Sequence, residues 1–576
     1  MRRLLLLLSI IISTNFFAQT NIISTNPVAE QIMLGNYNPA TYHASNILNH
    51  PDSISRGILA DVSPDSLKSY IISLASFGNR NSGSDTVSST FGIGASRRWI
   101  FDKFSEFSAA NENRLIPSYL QFDELICTSN QHRNIFAVLP GLDTSDKRII
   151  IIEAHMDSRC EGLCDSLCVA QGVEDNATGT ALVMELARVM SKYSFNHTIV
   201  FVAMMAEEQG LYGAEAFADY TQQKGILIRA VQNNDVIGGI ICGQTSSPPS
   251  CPGNGDIDSI GVRLFSQGAY NSFHKGYCRF VKLEYKEMIN PFAAVHTDIR
   301  IMSPEDRTGR GGDHIPFRQH GYPSMRFTSA NEHGDADVTN VNYSDRQHSY
   351  RDTLGIDTNN DQVIDSFFVD FNYLARNAVI NGNAAGMAAI GPKTPDFLLT
   401  VSDSDLIIHV TQQTQFDVYR VGVRTISNDW DSVYTFTGTL YDTIDVPPAS
   451  NYFVSICSVD TNGIESVFSR EYMTTPVGIS EYQQPNQGIS LLQNRPNPFD
   501  EATYMIFRVD KMPAYKIASM RITDLSGKLV QEIPVDLQPG INEVLYEHGY
   551  GASGTLLYSL VVDGSVVSTK EMIFAN

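Results

Sequence analysis

The residues that could do chemistry form a short ordered set of acids and histidines. His155-Met156-Asp157 follows directly on the apolar run Ile149-Ile150-Ile151-Ile152 and Glu153-Ala154. Twenty residues after His155 comes Asp175, in GVEDNATG. Glu207-Glu208 follows, then Gln209-Gly210, and Asp235 in NNDVIGG lies twenty-seven residues beyond Glu208. Asp313-His314 in GGDHIPF and His348 in QHSYRDT come much later. Carboxylate oxygens mixed with imidazole nitrogens, without cysteine, suit zinc or a similar divalent ion in a hydrolytic site. One carboxylate can bridge two ions ~3.5–4 Å apart. Of two adjacent glutamates, one can coordinate metal while its neighbour takes a proton from water. A lone HxD or a surface EE pair is weak by itself. Order and placement carry the signal.

The placement comes from the elements around these residues. From about 64 to 391 the pattern alternates strands and helices. Ile149 to Ile152 is a continuous apolar run, the mark of a strand buried on both faces, and TIVFVAMM (198–205) is another. TALVMELARVM (180–190) has helical spacing between them. Such alternation predicts an α/β domain with a mixed, largely parallel central sheet flanked by helices, in which ligands bind at the carboxyl ends of the strands. His155, Glu207 and Glu208 stand directly after the two buried runs, where polar side chains do not make core.

HMD, EDNATG, AEEQG, DVIG and HSYRDT, in that order, make the chain resemble the co-catalytic zinc aminopeptidases over roughly 64–391. Their superfamily also holds glutamate carboxypeptidases and glutaminyl cyclases. The resemblance implies a zinc exopeptidase-like fold and two zinc ions. It gives His155 and Asp235 to one ion, Glu208 and His348 to the other, and makes Asp175 the bridge. It makes Glu207 the general base, with Asp157 orienting His155 by a hydrogen bond. Asp313 and His314 are read as near-site residues shaping the substrate pocket or backing the ligands, with His314 the alternative to His348 as last ligand. His296, His320 and His333 have no motif and are expected to be structural or exposed. No tyrosine can be placed for oxyanion stabilisation; backbone donors or the metal can serve. The Gly/Arg-rich stretch DRTGRGGD (306–313) departs from the family pattern. The implied activity is removal of N-terminal residues from peptides. A carboxypeptidase, a glutaminyl cyclase and a catalytically dead surface adhesin are the alternatives.

Beyond His348, the residues Asp357, Asn359, Asp361 and Asp365 place oxygens at alternate positions, as a calcium loop does, but Gln362 stands where such loops want glycine. An ordinary polar turn explains the stretch nearly as well.

At 576 residues the chain is too long for one core, and 43% hydrophobic with 10% aromatic residues excludes a mainly disordered polymer. Its net charge of −22 argues against binding nucleic acid or anionic lipid through phosphates. Arg2-Arg3, the apolar stretch Leu4 to Ile12 and Ala18 read as a signal peptide over 1–18, followed by an N-terminal extension or pro-region over 19–63. No later segment is long and apolar enough to span a membrane. Export makes disulfides possible for the eight cysteines. Cys242 and Cys251 are the expected bridge, and the cluster Cys160, Cys164 and Cys168 offers either bridges or thiolate zinc ligands.

After the α/β domain, two small all-β domains are expected. Residues 392–475 resemble a fibronectin type III domain through NYFVSICSVDTNGIES, and 476–488 is a linker by composition. Residues 489–576 resemble the C-terminal sorting domain of the bacterial type IX secretion system, through LLQNRPNPF, ITDLSGKLV and the terminal STKEMIFAN. That resemblance implies an export machinery as partner, beside peptide substrates, and a secreted or cell-surface location.

Overall fold

The computed structural model describes residues 19–241, 257–268, 272–307, 310–331, 346–402, 405–412, 414–425, 427–447, 452–474, 488–499, 502–513, 515–524, 528–548, 554–563 and 565–574. The signal segment 1–18, the pair Cys242 and Cys251, His333 and nearly all of the linker lie outside the described residues.

Nine strands form the central sheet: β1 (Thr20–Ser24), β2 (Ile116–Ile126), β3 (Ser129–Leu139), β4 (Ile149–His155), β5 (Ile199–Met204), β6 (Ile228–Asn234), β7 (Gly261–Phe265), β8 (Asp298–Ile301) and β9 (Ser324–Ser329). Their order is β1-β2-β3-β5-β4-β6-β9-β7-β8. The central four, β5, β4, β6 and β9, run parallel, and an antiparallel β1–β3 meander extends one side. Every residue of β4, β5 and β6 is buried; the apolar runs Ile149–Ile152 and Ile199–Met204 call for this in β4 and β5, whereas β6 (IRAVQNN) buries polar side chains as well. The expected mixed α/β architecture is what the chain adopts.

Helices α1 (Pro27–Met33), α2 (Pro51–Asp61), α3 (Pro64–Ser76) and α4 (Gly92–Ala110) precede the parallel centre. They are followed by α5 (Thr178–Met190), α6 (Tyr212–Lys224), α7 (Phe273–Glu284), α8 (His314–Gln319) and α9 (Phe371–Ile390). Small residues let α9 approach α5 closely: a Cβ on Gly382 would sit 2.7 Å from the Leu186 side chain. Residues 19–63, expected as an extension or pro-region, are built into this body. β1 pairs with β2 (Ser24 opposite Leu120), and Ile54 and Ile58 of α2 are wholly buried in the main core. A short hairpin, β10 (Gly355–Ile356) and β11 (Ser366–Phe367), frames the 357–365 loop.

Two all-β units follow. In the first, β12 (Asp396–Ser402), β13 (Asp405–Gln412) and β16 (Tyr441–Asp445) face β14 (Val418–Arg424), β15 (Ser432–Thr437), β17 (Phe453–Val459) and β18 (Tyr472–Met473). In the second, β19 (Ile489–Leu491), β20 (Ala502–Val509) and β23 (Gly540–Glu547) face β21 (Ala518–Asp524), β22 (Leu529–Pro534), β24 (Gly554–Val562) and β25 (Ser565–Phe574). No helix among the described residues is long and apolar enough to cross a membrane.

The clustered cysteines are disulfides, not thiolate ligands. Cys160 bonds Cys168, and Cys164 bonds Cys127 at the turn between β2 and β3. All three sulfurs of the cluster are thereby consumed.

Candidate metal centre

Three adjacent parallel strands end together at the site. His155 is the last residue of β4, Glu207-Glu208 stands in the turn after β5, and Asp235 follows β6. Asp175 lies in the irregular turn Val173–Ala177 ahead of α5, where the Asp175–Asn176 peptide is cis. His348 comes from the segment before β10. The backbone is left-handed at Ala206 (φ 61°), Val236 (φ 57°) and His348 (φ 58°), each at or beside one of these residues. That conformation costs a non-glycine residue ~1–3 kcal/mol, so surrounding bonds must impose it. Asp157 supplies two of them: its carboxylate accepts the N–H groups of Glu207 and Glu208, both at 3.3 Å. Thr328 Oγ1 donates to the Asp235 carbonyl at 2.7 Å, and the Asp352 carboxylate accepts the amides of Glu174 and Asp175 at 2.9 Å each.

The five expected ligands converge. Asp175 Oδ1 is 3.1 Å from His155 Nε2, and its Oδ2 is 3.0 Å from His348 Nε2. His155 Nε2 is 3.6 Å from Asp235 Oδ1, and His348 Nε2 is 3.1 Å from Glu208 Oε2. Two trios result, His155 with Glu207 and Asp235, and Asp175 with Glu208 and His348, each with ligand atoms within 4.8 Å of one another. His155 Nδ1 faces the Asp157 main-chain carbonyl at 3.2 Å, closer than the carboxylate Oδ1 at 3.6 Å. Asp157 thus orients the ring chiefly through its backbone, while its carboxylate fixes the two glutamates.

Burial alone would push the His155 imidazole down, but Glu207, Asp157, Asp175 and Asp235 surround it and raise it well above its ordinary range. Burial would raise Asp175, yet His155 and His348 hold it well below the usual carboxylate range. Glu207 is pushed well up by desolvation and by Asp235, Glu208 and Asp175, partly offset by His155. Carboxylates outnumber imidazoles, and Glu208 Oε1 is buried without a hydrogen-bond partner. A crowded set of oxygen and nitrogen donors with unmet valence fits divalent cations.

Asp313 and His314 are placed behind the centre rather than on its cavity. Both are fully buried, and neither belongs to a ligand trio. His314 Nε2 is held 3.1 Å from the Glu305 carbonyl, while the unpaired Asp313 carboxyl is raised by burial and by Glu153 and Glu207. Of the two places expected for them, the pocket wall or behind the ligands, they occupy the second: α8 begins at His314 and packs inward on β9 and β6. His320 pairs with Asp219 at 2.9 Å, and exposed His296 bonds Asn290 at 2.7 Å. In the 357–365 loop, Asp357, Asn359 and Asp361 accept the loop's own amides, and Asp365 accepts from Thr358. Gln362 takes the left-handed conformation (φ 69°). The three aspartates do not converge into a ligand group.

The cavity over the centre measures about 650 Å³. Beyond the cluster its wall includes Arg159, Glu161, Leu211, Arg307 and Arg310. In the sequence DRTGRGGD stands out only as a departure from the family pattern, and Arg159 carries no motif of its own, although it stands two residues after Asp157.

Residues 134–371 match the profile of peptidase family M28. A probable zinc metalloprotease of Leptosphaeria maculans is 30% identical over 382 residues, covering 62% of this chain and 81% of that protein. One of Pyricularia oryzae is 32% identical over 362 residues, covering 59% and 67%. Among solved structures, the LapA aminopeptidase of Legionella pneumophila is 17% identical with a TM-score of 0.41, covering 59% of this chain and 74% of that one. The chain belongs to peptidase family M28 and is a zinc metallopeptidase.

Proposed function

We propose that the protein is a two-zinc aminopeptidase that releases residues from the N-termini of peptides. The observation that carries the reading is Asp175, whose two oxygens reach the imidazoles of His155 and His348 at 3.1 and 3.0 Å. His155 and Asp235 would hold one ion and Glu208 and His348 the other, with Asp175 shared. Bound there, zinc supplies Lewis acidity that polarises a carbonyl and acidifies water. Glu207, on the cavity floor, takes the proton from the attacking water and returns it to the amine as the C–N bond breaks. Asp157 keeps Glu207 in place through its amide. The carboxylates lining the cavity, Glu161 among them, favour a substrate's protonated α-amine.

A fluorogenic aminoacyl panel, with and without chelator, tests reaction class and metal need together. The expected result is chelator-sensitive cleavage, with Glu207→Gln keeping its metal while kcat falls ~10²–10⁴-fold, as loss of a general base entails. Retained turnover in that variant removes Glu207 as base, and cleavage unaffected by chelator removes the two-metal reading.

We also propose, on the motifs quoted above, that the first all-β unit is a fibronectin type III-like spacer. The second would be a sorting domain that delivers the enzyme across the outer membrane. Supporting this, Phe499 of PNPF is buried against Phe574 near the end of the final strand, so the motif is integral to that unit's core.

A further inference from the structure

Glu174 stands directly before Asp175 in EDNATG, yet it belongs to neither ligand trio and no step of the proposed reaction uses it. It lies fully buried in the irregular turn ahead of α5. Its side chain reaches the loop that follows β6, in NNDVIGG.

Four consecutive main-chain N–H groups of that loop, Val236 to Gly239, point at side chains of the turn and of the first residue of α5. Asn176 Oδ1 accepts from Val236 at 3.4 Å and Thr178 Oγ1 from Ile237 at 3.5 Å, both long. Glu174 Oε1 accepts from Gly238 at 3.2 Å and from Gly239 at 2.7 Å, so it makes the two shorter bonds. The pair of glycines permits the close approach. A Cβ on Gly239 would lie 3.0 Å from that oxygen, and one on Gly238 would lie 2.7 Å from Thr178 Cγ2.

What this clamp joins is two ligand segments. Asp235 immediately precedes Val236, whose left-handed backbone (φ 57°) must be imposed by its surroundings. Asp175 immediately follows Glu174, and the oxygens Asp175 Oδ1 and Asp235 Oδ1 both face His155 Nε2, at 3.1 and 3.6 Å. The other trio takes Glu208 from the turn after β5, where Asp157 holds its amide, and His348 from the segment before β10. Removing the Glu174 oxygen would strand two buried N–H donors, and the Asp235 loop would have to shift to satisfy them.

Resting on the two-zinc reading, we propose that Glu174 is a positioning residue for the ion of His155, Asp235 and Asp175. Acting through Gly238 and Gly239, it fixes the spacing of the two aspartates. A glutamine oxygen at the same place can accept both amides, whereas a leucine of similar volume cannot.

Glu174→Leu and Glu174→Gln therefore separate the hydrogen bonds from the packing. Zinc-loaded protein is dialysed against buffers of graded free zinc, and elemental analysis counts the ions that remain. Glu174→Leu should lose one of its two ions with ~10–100-fold weaker affinity than wild type, the usual effect of removing an outer partner of a metal ligand, and Glu174→Gln should stay within about threefold. Asp235→Ala identifies the ion: adding Glu174→Leu to it should not weaken the ion that is left. His314→Ala is the control for lost stability alone and should hold both ions normally. High free zinc should refill Glu174→Leu and restore most of its lost kcat, which a misfolded centre would not allow. Where the leucine variant does not fold, Glu174→Ala carries the same test.

Two ions held as tightly by Glu174→Leu as by wild type overturn the inference. So does equal weakening in Glu174→Leu and Glu174→Gln, or further weakening of the remaining ion in the Asp235→Ala background. A wild-type protein that never holds more than one ion overturns the two-zinc reading itself, and the inference falls with it.

Discussion

At the scale of single residues, the two late histidines separate by what surrounds them. His348 Nε2 has carboxylate oxygens of Asp175 and Glu208 at 3.0 and 3.1 Å, whereas His314 Nε2 meets the Glu305 carbonyl and stands 4.0 Å from Asp306. Arg326 satisfies that Asp306 carboxylate at 3.0 Å and reaches Asp235 with its other arm, also at 3.0 Å. His314 thus belongs to a buried network behind the centre. His348→Ala should lower bound zinc by about one ion per chain under limiting metal, while His314→Ala should leave metal content unchanged and lower thermal stability instead. Elemental analysis after dialysis reads the first effect and thermal unfolding the second. The opposite order would make His314 a ligand. The proposed ligand set is legible in the sequence because each member sits at a strand end or in a short motif of fixed order. The roles of Asp306, Arg326 and Asp352 are not: Asp352 stands in HSYRDT and Asp306 in DRTGRGGD, but all three act through contacts between residues far apart in the chain, which local spacing does not show.

At the scale of elements, the segment between His155 and Asp175 is held on three sides. Cys160–Cys168 closes it on itself, Cys127–Cys164 ties it to the β2–β3 turn, and Arg80 clamps its two ends. Arg80 is fully buried and donates to the carbonyls of Met156 at 2.8 Å, Gly172 at 2.9 Å and Leu74 at 3.1 Å. Arg80 also carries its charge toward Asp352, Asp157 and Asp175, which steadies a region crowded with acids. The metal side of this segment is anchored by β4 and α5, but Arg159 and Glu161 are carried by the stapled part. A Cys127→Ser/Cys164→Ser protein should therefore keep its zinc and much of its kcat while KM rises severalfold. Opening that 37-residue closure should also lower stability by ~2–4 kcal/mol. Steady-state kinetics with metal analysis checks the split; loss of zinc equal to the loss of activity would place the staple under the centre itself. β4 and β5 can be read from their apolar runs and α5 from its helical spacing. The disulfide pairing cannot, because Cys127 meets Cys164 only after β2 and β3 have joined the sheet.

At the scale of the whole molecule, the two all-β units stand in different relations to the peptidase. Cys457, Ile464 and Phe468 of the first unit are buried in the same core cluster as the central sheet. Arg279 of α7 pairs with Glu471 at 2.9 Å, and both side chains are almost wholly buried. Lys282 pairs with Asp429 and Glu287 with Arg420 across the same seam, at 2.9 and 2.8 Å. The boundary near 391 that composition suggests is therefore a change of secondary structure rather than an edge of the folded body. Cutting there re-exposes the apolar surface that those three side chains cover, at ~1.5–3 kcal/mol for each large one. It also unpairs Arg279. A loss of order 5 kcal/mol is comparable with the whole net stability of a typical domain, ~5–15 kcal/mol. A protein of residues 19–391 should thus unfold many degrees lower than one of 19–474, or fail to stay soluble. The second unit packs around its own separate core, which shares no residue with that of the peptidase. Its removal should leave the melting temperature and specific activity of 19–474 equal to those of 19–576. In cells making the full chain from residue 1, deletion of 489–576 should instead strand active enzyme short of the cell surface, which fractionation with an activity assay would detect. Equal stability of 19–391 and 19–474 would show that the seam contributes nothing, and surface delivery without 489–576 would remove the sorting role from that unit.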